Sequence, residues 1–227
     1  MKTRSRGFTL VEMMVTVAII GIVAAVAIPV IRGASQNASV GAAAFDLQLR
    51  LQGLKTRALA DQDTLLAVLV DAPGNSGSNC VLGRSNECAT LFVLRNPTTA
   101  WTLGAFDPAN PAVNAQFVDS KTLGKGIRFA NDPVADKTRI LHDSPKPFET
   151  VKVFSPTFTG ACAGRACLAV RFSPAGAVSA EPATAPTTTP RGVAFAIGSD
   201  LVKNMAASEA RAILVTFPAG IVKSFSL

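Results

Sequence analysis

A short basic leader followed by a long apolar segment constrains this chain more than any other feature. Residues 8–31 are almost entirely apolar, and as a helix they would span roughly 36 Å at about 1.5 Å per residue. That length is enough to cross a hydrocarbon core about 30 Å thick. The leader carries three basic residues, Lys2, Arg4 and Arg6. Because positive charges favour the cytoplasmic side, the sequence predicts a single-pass membrane helix with a cytoplasmic leader.

Glu12 is the one acidic residue in this apolar segment. A charged side chain at the centre of a bilayer costs about 2.5–3.5 kcal/mol on insertion scales, so an intramembrane carboxylate usually marks a partner or a function. Glu12 lies near the cytoplasmic end of the segment, where water relieves part of this cost. We therefore expect Glu12 to have a function that an ordinary membrane anchor does not need.

The segment around Glu12 resembles the N-terminus of type IV prepilins. The resemblance rests on six residues, Gly7, Phe8, Thr9, Leu10, Glu12 and Pro29. It implies that a prepilin peptidase cleaves between Gly7 and Phe8, and that the new N-terminal Phe8 is N-methylated. It also implies two assembly residues, with Glu12 as the charge that pairs with a neighbour and Pro29 as the helix break.

The resemblance also implies how subunits would join. The ammonium of one subunit's Phe8 would pair with Glu12 of another, because opposite charges attract strongly in a low-dielectric helical bundle. Pro29 would bend or locally melt the helix, since proline removes a backbone hydrogen bond. The implied partners are other major and minor pilins, bound through the N-terminal helix, and the inner-membrane assembly platform.

An ordinary secretory signal peptide is the alternative interpretation of the N-terminus. Its cleavage site would be Ala25-Val26-Ala27, and the mature chain would begin at Ile28. This interpretation leaves the motif at residues 7–10 without a purpose, and Glu12 interrupts the required apolar core. The prepilin interpretation is therefore favoured.

The rest of the chain predicts an α+β protein, in which a long N-terminal α-helix, membrane-spanning in its first half, packs on a mainly antiparallel β-sheet C-terminal globular domain. Helical spacing of Leu47, Leu51, Leu54 and Ala58 predicts that the helix continues to about residue 60. The predicted divisions are a prepilin leader (1–7), a transmembrane assembly helix (8–31), an amphipathic continuation of the helix (32–62) and a periplasmic β-rich globular domain (63–227).

Runs of β-branched and aromatic residues predict the strands, and Pro/Gly-rich stretches predict the loops between them. The strands are expected at residues 65–70, 90–94, 100–106, 126–129, 150–154, 167–172, 193–197, 212–217 and 221–225. Loops are expected at 73–78, 107–111 and 181–190. Two Pro-Ala-Gly sequences, at 174–176 and 218–220, each predict a hairpin turn. This pair resembles the GspH/FimT branch of minor pilins and pseudopilins.

Four cysteines fit a chain exported to an oxidising compartment. Their closeness in sequence suggests two local disulfides, Cys80 with Cys88 and Cys162 with Cys167, although four cysteines allow three connectivities. Zinc binding is disfavoured because neither pair has the C-x2-C spacing. We expect no cofactor and no metal.

Catalysis has little support in the sequence. His142 is the only histidine and stands in no catalytic motif, and there is neither a G-x-S-x-G elbow nor a phosphate-binding glycine loop. Asn131, Asp132 and Asp136 lack the spacing of a calcium-binding loop and are interpreted as a solvated turn. We therefore expect a protein that is not an enzyme.

The basic residues raise the question of DNA binding. The formal charge of +7 (22 − 15) falls to +4 (19 − 15) once the three basic leader residues are removed. The resemblance to FimT-like proteins permits DNA contact through basic residues near the C-terminal hairpins. The candidates are Arg171, Arg191, Lys203, Arg211 and Lys223. They are scattered along the chain, and this scatter favours an ordinary solvated surface.

Three functions stay open at this point. The favoured one is a minor pilin, a structural subunit of a type IV pilus that helps prime assembly and sits at or near the tip. The second is a GspH-type pseudopilin of a type II secretion system, and the third is a FimT-like minor pilin for DNA uptake. In each case we expect the protein first in the inner membrane and then in a pilus or pseudopilus filament.

Overall fold

The computed structural model of the protein describes residues 9–72, 88–124, 126–130, 162–181, 192–199 and 211–226. The chain divides into two compact units, residues 1–38 and residues 39–227. The first unit contains the apolar part of one long helix. The second contains the remainder of that helix and the strands described below.

Helix α1 runs over Leu10–Asp61 and confirms the predicted long N-terminal helix. Pro29 lies inside α1, and the backbone is helical on both sides of it. In the second unit one stripe of the helix is buried. The stripe consists of Val40, Ala44, Leu47, Leu51, Leu54 and Ala58. Because these residues recur every three or four positions they share one face, which makes this part of α1 amphipathic.

Nine strands follow in the described part of the chain. They are β1 (Leu65–Val70), β2 (Thr90–Arg95), β3 (Gln116–Thr122), β4 (Ile127–Ala130), β5 (Cys167–Phe172), β6 (Val178–Glu181), β7 (Gly192–Ser199), β8 (Arg211–Thr216) and β9 (Val222–Ser226). The first sheet has the order β3-β2-β1-β5-β6, and the second sheet has the order β4-β7-β8-β9. All pairings are antiparallel, and the α+β prediction is confirmed.

The main core lies between the buried stripe of α1 and one face of each sheet. Leu69 of β1, Phe172 of β5 and Phe195 of β7 belong to it. A second core covers the opposite face of the first sheet, and β1 is therefore buried on both sides. Trp101, Leu103 and Phe106 cover that face, and the rings of Phe92 and Phe106 meet edge to face at a centroid distance of 5.3 Å.

Residues 100–106 were expected to form a strand, and this expectation is wrong. They form a loop with a one-turn 3-10 helix, Leu103–Ala105, whose first turn is capped by the side chain of Thr102. The apolar side chains that suggested a strand instead cover the first sheet. The sequence also missed β3, because this edge strand is largely exposed and its residues lack a clear apolar alternation. The predicted strand at 150–154 and the loop at 73–78 lie outside the described residues, as does most of the loop at 181–190.

Candidate functional site

Helix α1 begins with a capping box formed by Thr9 and Glu12. The Thr9 N–H and hydroxyl both donate to Oε2 of Glu12, at 2.9 Å and 3.0 Å. In return the Glu12 N–H donates to the Thr9 hydroxyl at 3.3 Å. Threonine before the helix and glutamate three residues later is the sequence pattern of this motif. The helix therefore starts where two otherwise unpaired backbone donors are satisfied.

Among the described residues, the capping box engages only one oxygen of the Glu12 carboxylate. Both hydrogen bonds from Thr9 end on Oε2, and within the described residues Oε1 accepts none. A carboxylate has about four lone-pair sites, so it can cap its own helix and accept a further donor at the same time. Glu12 is thus positioned by its own chain and still able to accept a cation.

The helical segment that follows the capping box is apolar and exposed. Leu10–Ala27 is long and apolar enough to cross a membrane, and none of it is buried within the chain. Eighteen helical residues correspond to about 27 Å, close to the thickness of a hydrocarbon core. The carboxylate of Glu12 lies in the first turn of this segment.

Residues 2–28 match the prokaryotic N-terminal methylation motif. This motif supports a type IV pilin-like protein. No curated protein and no solved structure was found to match it. The motif implies that the pilin-like protein is processed by prepilin peptidase and assembles with other pilins. Its N-terminal apolar helix fits a membrane-anchored protein.

Several of the residues singled out in the sequence analysis lie outside the described part of the chain. Among them are the processing residues Gly7 and Phe8, and the basic residues Arg191 and Lys203. His142 and the polar residues Asn131, Asp132 and Asp136 are also outside it. Within the described residues there is no cluster of three or more metal-ligating side chains. The expectation that the protein is not an enzyme stays a prediction.

The described basic residues near the hairpins do not all lie on the same face of their sheets. Arg171 alternates with the core residues Val170 and Phe172 on β5, so it faces away from α1. The guanidinium of Arg211 lies beside α1, where a Cβ added at Gly41 would be 3.4 Å from its Nε. Lys223 is exposed and follows the buried Val222 on β9. Arg211 therefore lies on the α1 side of its sheet, whereas Arg171 and Lys223 face away from the core that α1 covers.

The two Pro-Ala-Gly turns lie side by side in the globular unit, and both are hairpin turns as predicted. Gly176 and Gly220 have φ values of 80° and 63°, in the left-handed region that glycine adopts at little cost. The N–H of Val178, just after the first turn, donates to the Pro218 carbonyl of the second turn at 3.0 Å. The turns therefore connect the first sheet to the second. Sequence reasoning found each turn but not their contact.

The cysteines agree with the predicted pairing as far as the structure describes them. Cys162 and Cys167 form a disulfide with an S–S distance of 1.98 Å. Cys88 is disulfide-bonded as well, whereas its expected partner Cys80 lies outside the described residues. Within the described residues no cysteine is free.

A buried ionic network was not predicted from the sequence. Asp71, just after β1, is 5% exposed and accepts from Arg128 Nη2 at 2.7 Å. Arg165, between the two cysteines, donates from Nε to the Asp71 carbonyl at 2.8 Å. Burial lowers the pKa of Arg165, although the nearby Asp71 carboxylate opposes this effect. Such a network cannot be predicted from the sequence, because its residues are far apart in the chain and form no local pattern.

Proposed function

We propose that this pilin-like protein is a minor pilin, a structural subunit of a type IV pilus that helps prime assembly and sits at or near the tip. The observation that carries the proposal is the exposed apolar segment Leu10–Ala27 with a single carboxylate in its first turn. Apolar surface of this extent is stable in a membrane or against other apolar helices, but not in water. The segment therefore suits both storage in a membrane and packing in a filament.

The capping box supports a specific way of joining subunits. In this proposal the N-terminal ammonium of a neighbour's Phe8 approaches Oε1 of Glu12, while Oε2 stays bound to Thr9. Methylation leaves the amine positively charged, so it does not prevent this pairing. A positioned carboxylate loses little further side-chain freedom on binding. The pairing would set the axial offset between neighbouring helices.

The outward face of α1 in the globular unit gives further support. Phe45 is 59% exposed and Leu49 is 49% exposed, one helical turn apart and opposite the buried stripe. Ala42 and Gly53 lie on the same outward face and are exposed. An uncharged, partly apolar outer face is unusual for a helix that already buries its other face. We infer that other subunits cover part of it in the filament.

The proposal includes a location and a non-catalytic role. The chain would span the inner membrane once, with the globular unit in the periplasm, before entering the filament through the assembly platform. A periplasmic location agrees with the disulfide between Cys162 and Cys167. The protein would act by assembly and not as an enzyme.

A GspH-type pseudopilin of a type II secretion system is the second candidate. It would use the same exposed helix and the same Glu12, so the observations above support both roles. The paired glycine turns at Gly176 and Gly220 agree with the GspH/FimT branch in either role. A FimT-like role in DNA uptake has less support, because Arg211 lies beside α1 whereas Arg171 and Lys223 face away from the core that α1 covers.

The first test is the mass of the N-terminal peptide of the protein purified from its native membrane. A chain that starts at Phe8 and carries one extra methyl group is expected. A chain that starts at Ile28 would show ordinary secretion and would remove the filament proposal. A bulky substitution of Gly7 serves as the control, since it should leave the leader attached.

The second test separates the pilus from the secretion system. Deletion of the gene in its host is expected to reduce surface pili and leave the secretion of folded exoproteins unchanged. The opposite result would favour the pseudopilin. If both are unchanged and DNA uptake falls, the third candidate gains support; binding of the full-length protein to DNA at low salt would then be measured.

A further inference from the structure

The turn closed by the Cys162–Cys167 disulfide holds Arg165 in place. Cys162 and Arg165 form an antiparallel bridge, with the Arg165 N–H donating to the Cys162 carbonyl at 2.9 Å. The two residues between them, Ala163 and Gly164, have φ values of 50° and 79°. Alanine in the left-handed region costs about 1 kcal/mol. The turn therefore contains local strain, and the covalent link across it limits how far it can open.

Arg165 joins this turn to two other parts of the chain. Its Nε donates to the Asp71 carbonyl at 2.8 Å, and its Nη2 donates to the same oxygen and to the Cys88 carbonyl, the latter at 3.0 Å. The Asp71 N–H donates in turn to the carbonyl of Ala166 at 2.8 Å. The backbone of Asp71 is thus held on both sides by the segment between the two cysteines.

The side chain of Asp71 reaches the second sheet. Its carboxylate accepts from Nε and Nη2 of Arg128, at 3.0 Å and 2.7 Å to Oδ2. Oδ1 also accepts the N–H of Phe129 at 2.9 Å. Arg128 and Phe129 belong to β4, an edge strand of the second sheet, whereas Asp71 follows β1, the central strand of the first. One buried aspartate therefore connects the two sheets.

We propose that the Cys162–Cys167 disulfide is an oxidation-dependent latch, which fixes Arg165 on Asp71 and thereby holds the second sheet on the first. Two thiols become one S–S bond, and their two electrons and two protons pass to a disulfide oxidant, which is reduced to two thiols. Both sulfurs are buried in the folded protein, with Cys162 0% and Cys167 1% exposed. In this proposal the bond forms before the turn is covered, and the contact of Asp71 with the second sheet reaches its full stability only in an oxidised chain.

The partial burial of the Arg165 guanidinium explains why its contacts would depend on the disulfide. The Arg165 guanidinium loses part of its hydration, and its hydrogen bonds to the two carbonyls offset this cost only while their geometry is kept. Without the disulfide the strained turn can relax, and Arg165 can move toward water. The Asp71 backbone then loses its support, and the bond from Phe129 to the carboxylate opens more often.

The Phe129 amide is a direct reporter of the latch, because its hydrogen bond to Asp71 Oδ1 is one of the contacts between the sheets. We would measure amide hydrogen exchange of the full chain in detergent micelles, for the wild type and for Cys162→Ala/Cys167→Ala. Exchange at Phe129 is expected to rise roughly tenfold. Exchange at Val68 in β1 and at Ile213 in β8 should change little. Unchanged protection at Phe129 would overturn the proposal.

Arg165→Ala, with the disulfide intact, tests whether the disulfide acts on the contact between Asp71 and Phe129 through Arg165. It should raise exchange at Phe129 by a similar factor, whereas Arg171→Ala on β5 should not. If the disulfide acts through Arg165, combining the three alanine substitutions should add little to Arg165→Ala alone. Fully additive effects would refute the route. Loss of protection at Val68 together with Phe129 in the cysteine variant would show that the disulfide holds the whole unit, and would overturn the latch.

Discussion

The hydroxyl of Ser224 donates a hydrogen bond to Oε1 of Gln48 at 2.6 Å, although 176 residues separate the two in the sequence. The same glutamine and Gln52 both direct their amide groups at the carbonyl of Val222, at 3.4 Å and 3.1 Å. Helix α1 therefore holds the C-terminal strand β9 through side chains beside its buried stripe. This contact also protects an edge strand that would otherwise present unpaired backbone groups.

The glutamine contacts predict a local effect on β9. Gln48→Ala combined with Gln52→Ala removes both of these side-chain donors to the Val222 carbonyl, and it also removes the acceptor of Ser224. We expect a loss of about 1–2 kcal/mol in the free energy of unfolding, with faster amide exchange in β9. Ser179→Ala, a change at an exposed position of β6, is the control. Wild-type exchange in β9 of the double variant would contradict the role of the glutamines.

Gly220 predicts a strong dependence of stability on a single methyl group. A Cβ at this position would lie 2.5 Å from Val178 Cγ2, and the residue has a φ of 63°. Gly220→Ala should therefore destabilise the protein by about 2 kcal/mol or more, from the strained backbone and the overlap together.

Gly53 provides the matched control for Gly220. It lies in α1, and a Cβ there meets nothing within 4 Å. Gly53→Ala should stabilise the helix by about 1 kcal/mol, since alanine is the better helix former. Thermal unfolding of both variants checks the pair, and equal shifts in the same direction would be inconsistent with it.

Ala163 predicts a stabilising substitution. The two-residue turn Ala163-Gly164 has positive φ at both positions, a geometry for which Asn-Gly is the preferred sequence. Ala163→Asn should raise the free energy of unfolding by about 0.5–1 kcal/mol. Ala175→Asn, in an exposed position of another turn, is the comparison. A lower melting temperature for Ala163→Asn would argue against strain at this residue.

Glu12 predicts different outcomes for its two roles. Glu12→Gln keeps an acceptor for the Thr9 N–H, since glutamine also forms capping boxes, but it removes the charge. Glu12→Ala removes both the cap and the charge. Both variants should insert in the membrane, because neither adds a polar group to the apolar helix.

If Glu12 pairs with a neighbour's amine, both variants should be poorly incorporated into filaments. If Glu12 serves only to start its own helix, Glu12→Gln should be incorporated like the wild type. The amount of each variant in sheared filaments, relative to the amount in membranes, distinguishes the two. Thr9→Val, which removes the hydroxyl but keeps the backbone donor, would show how far positioning of the carboxylate contributes.

The sequence by itself determined the N-terminal motif, the extent of α1 and most of the strands. These depend on residues close together in the chain: an apolar segment of sufficient length, helical spacing of Leu47 and Leu51, and β-branched runs between turns. The capping box could also have been predicted from the sequence, because Thr9 and Glu12 are three residues apart. The sequence analysis missed it, because Glu12 was interpreted only as a partner for another subunit.

Only the tertiary structure decided how these elements meet. The strands divide into two sheets whose neighbouring strands are often far apart in sequence. The hydrogen bonds between Val178 and Pro218, and between Ser224 and Gln48, also join residues that are far apart in the chain. Trp101 was expected in a strand and lies in a loop, because an apolar residue is buried equally well by covering a sheet as by belonging to one. The ion pair between Asp71 and Arg128 could not be predicted from the sequence, because it forms only where the two sheets meet. Whether a buried charge is stable depends on all the groups that surround it.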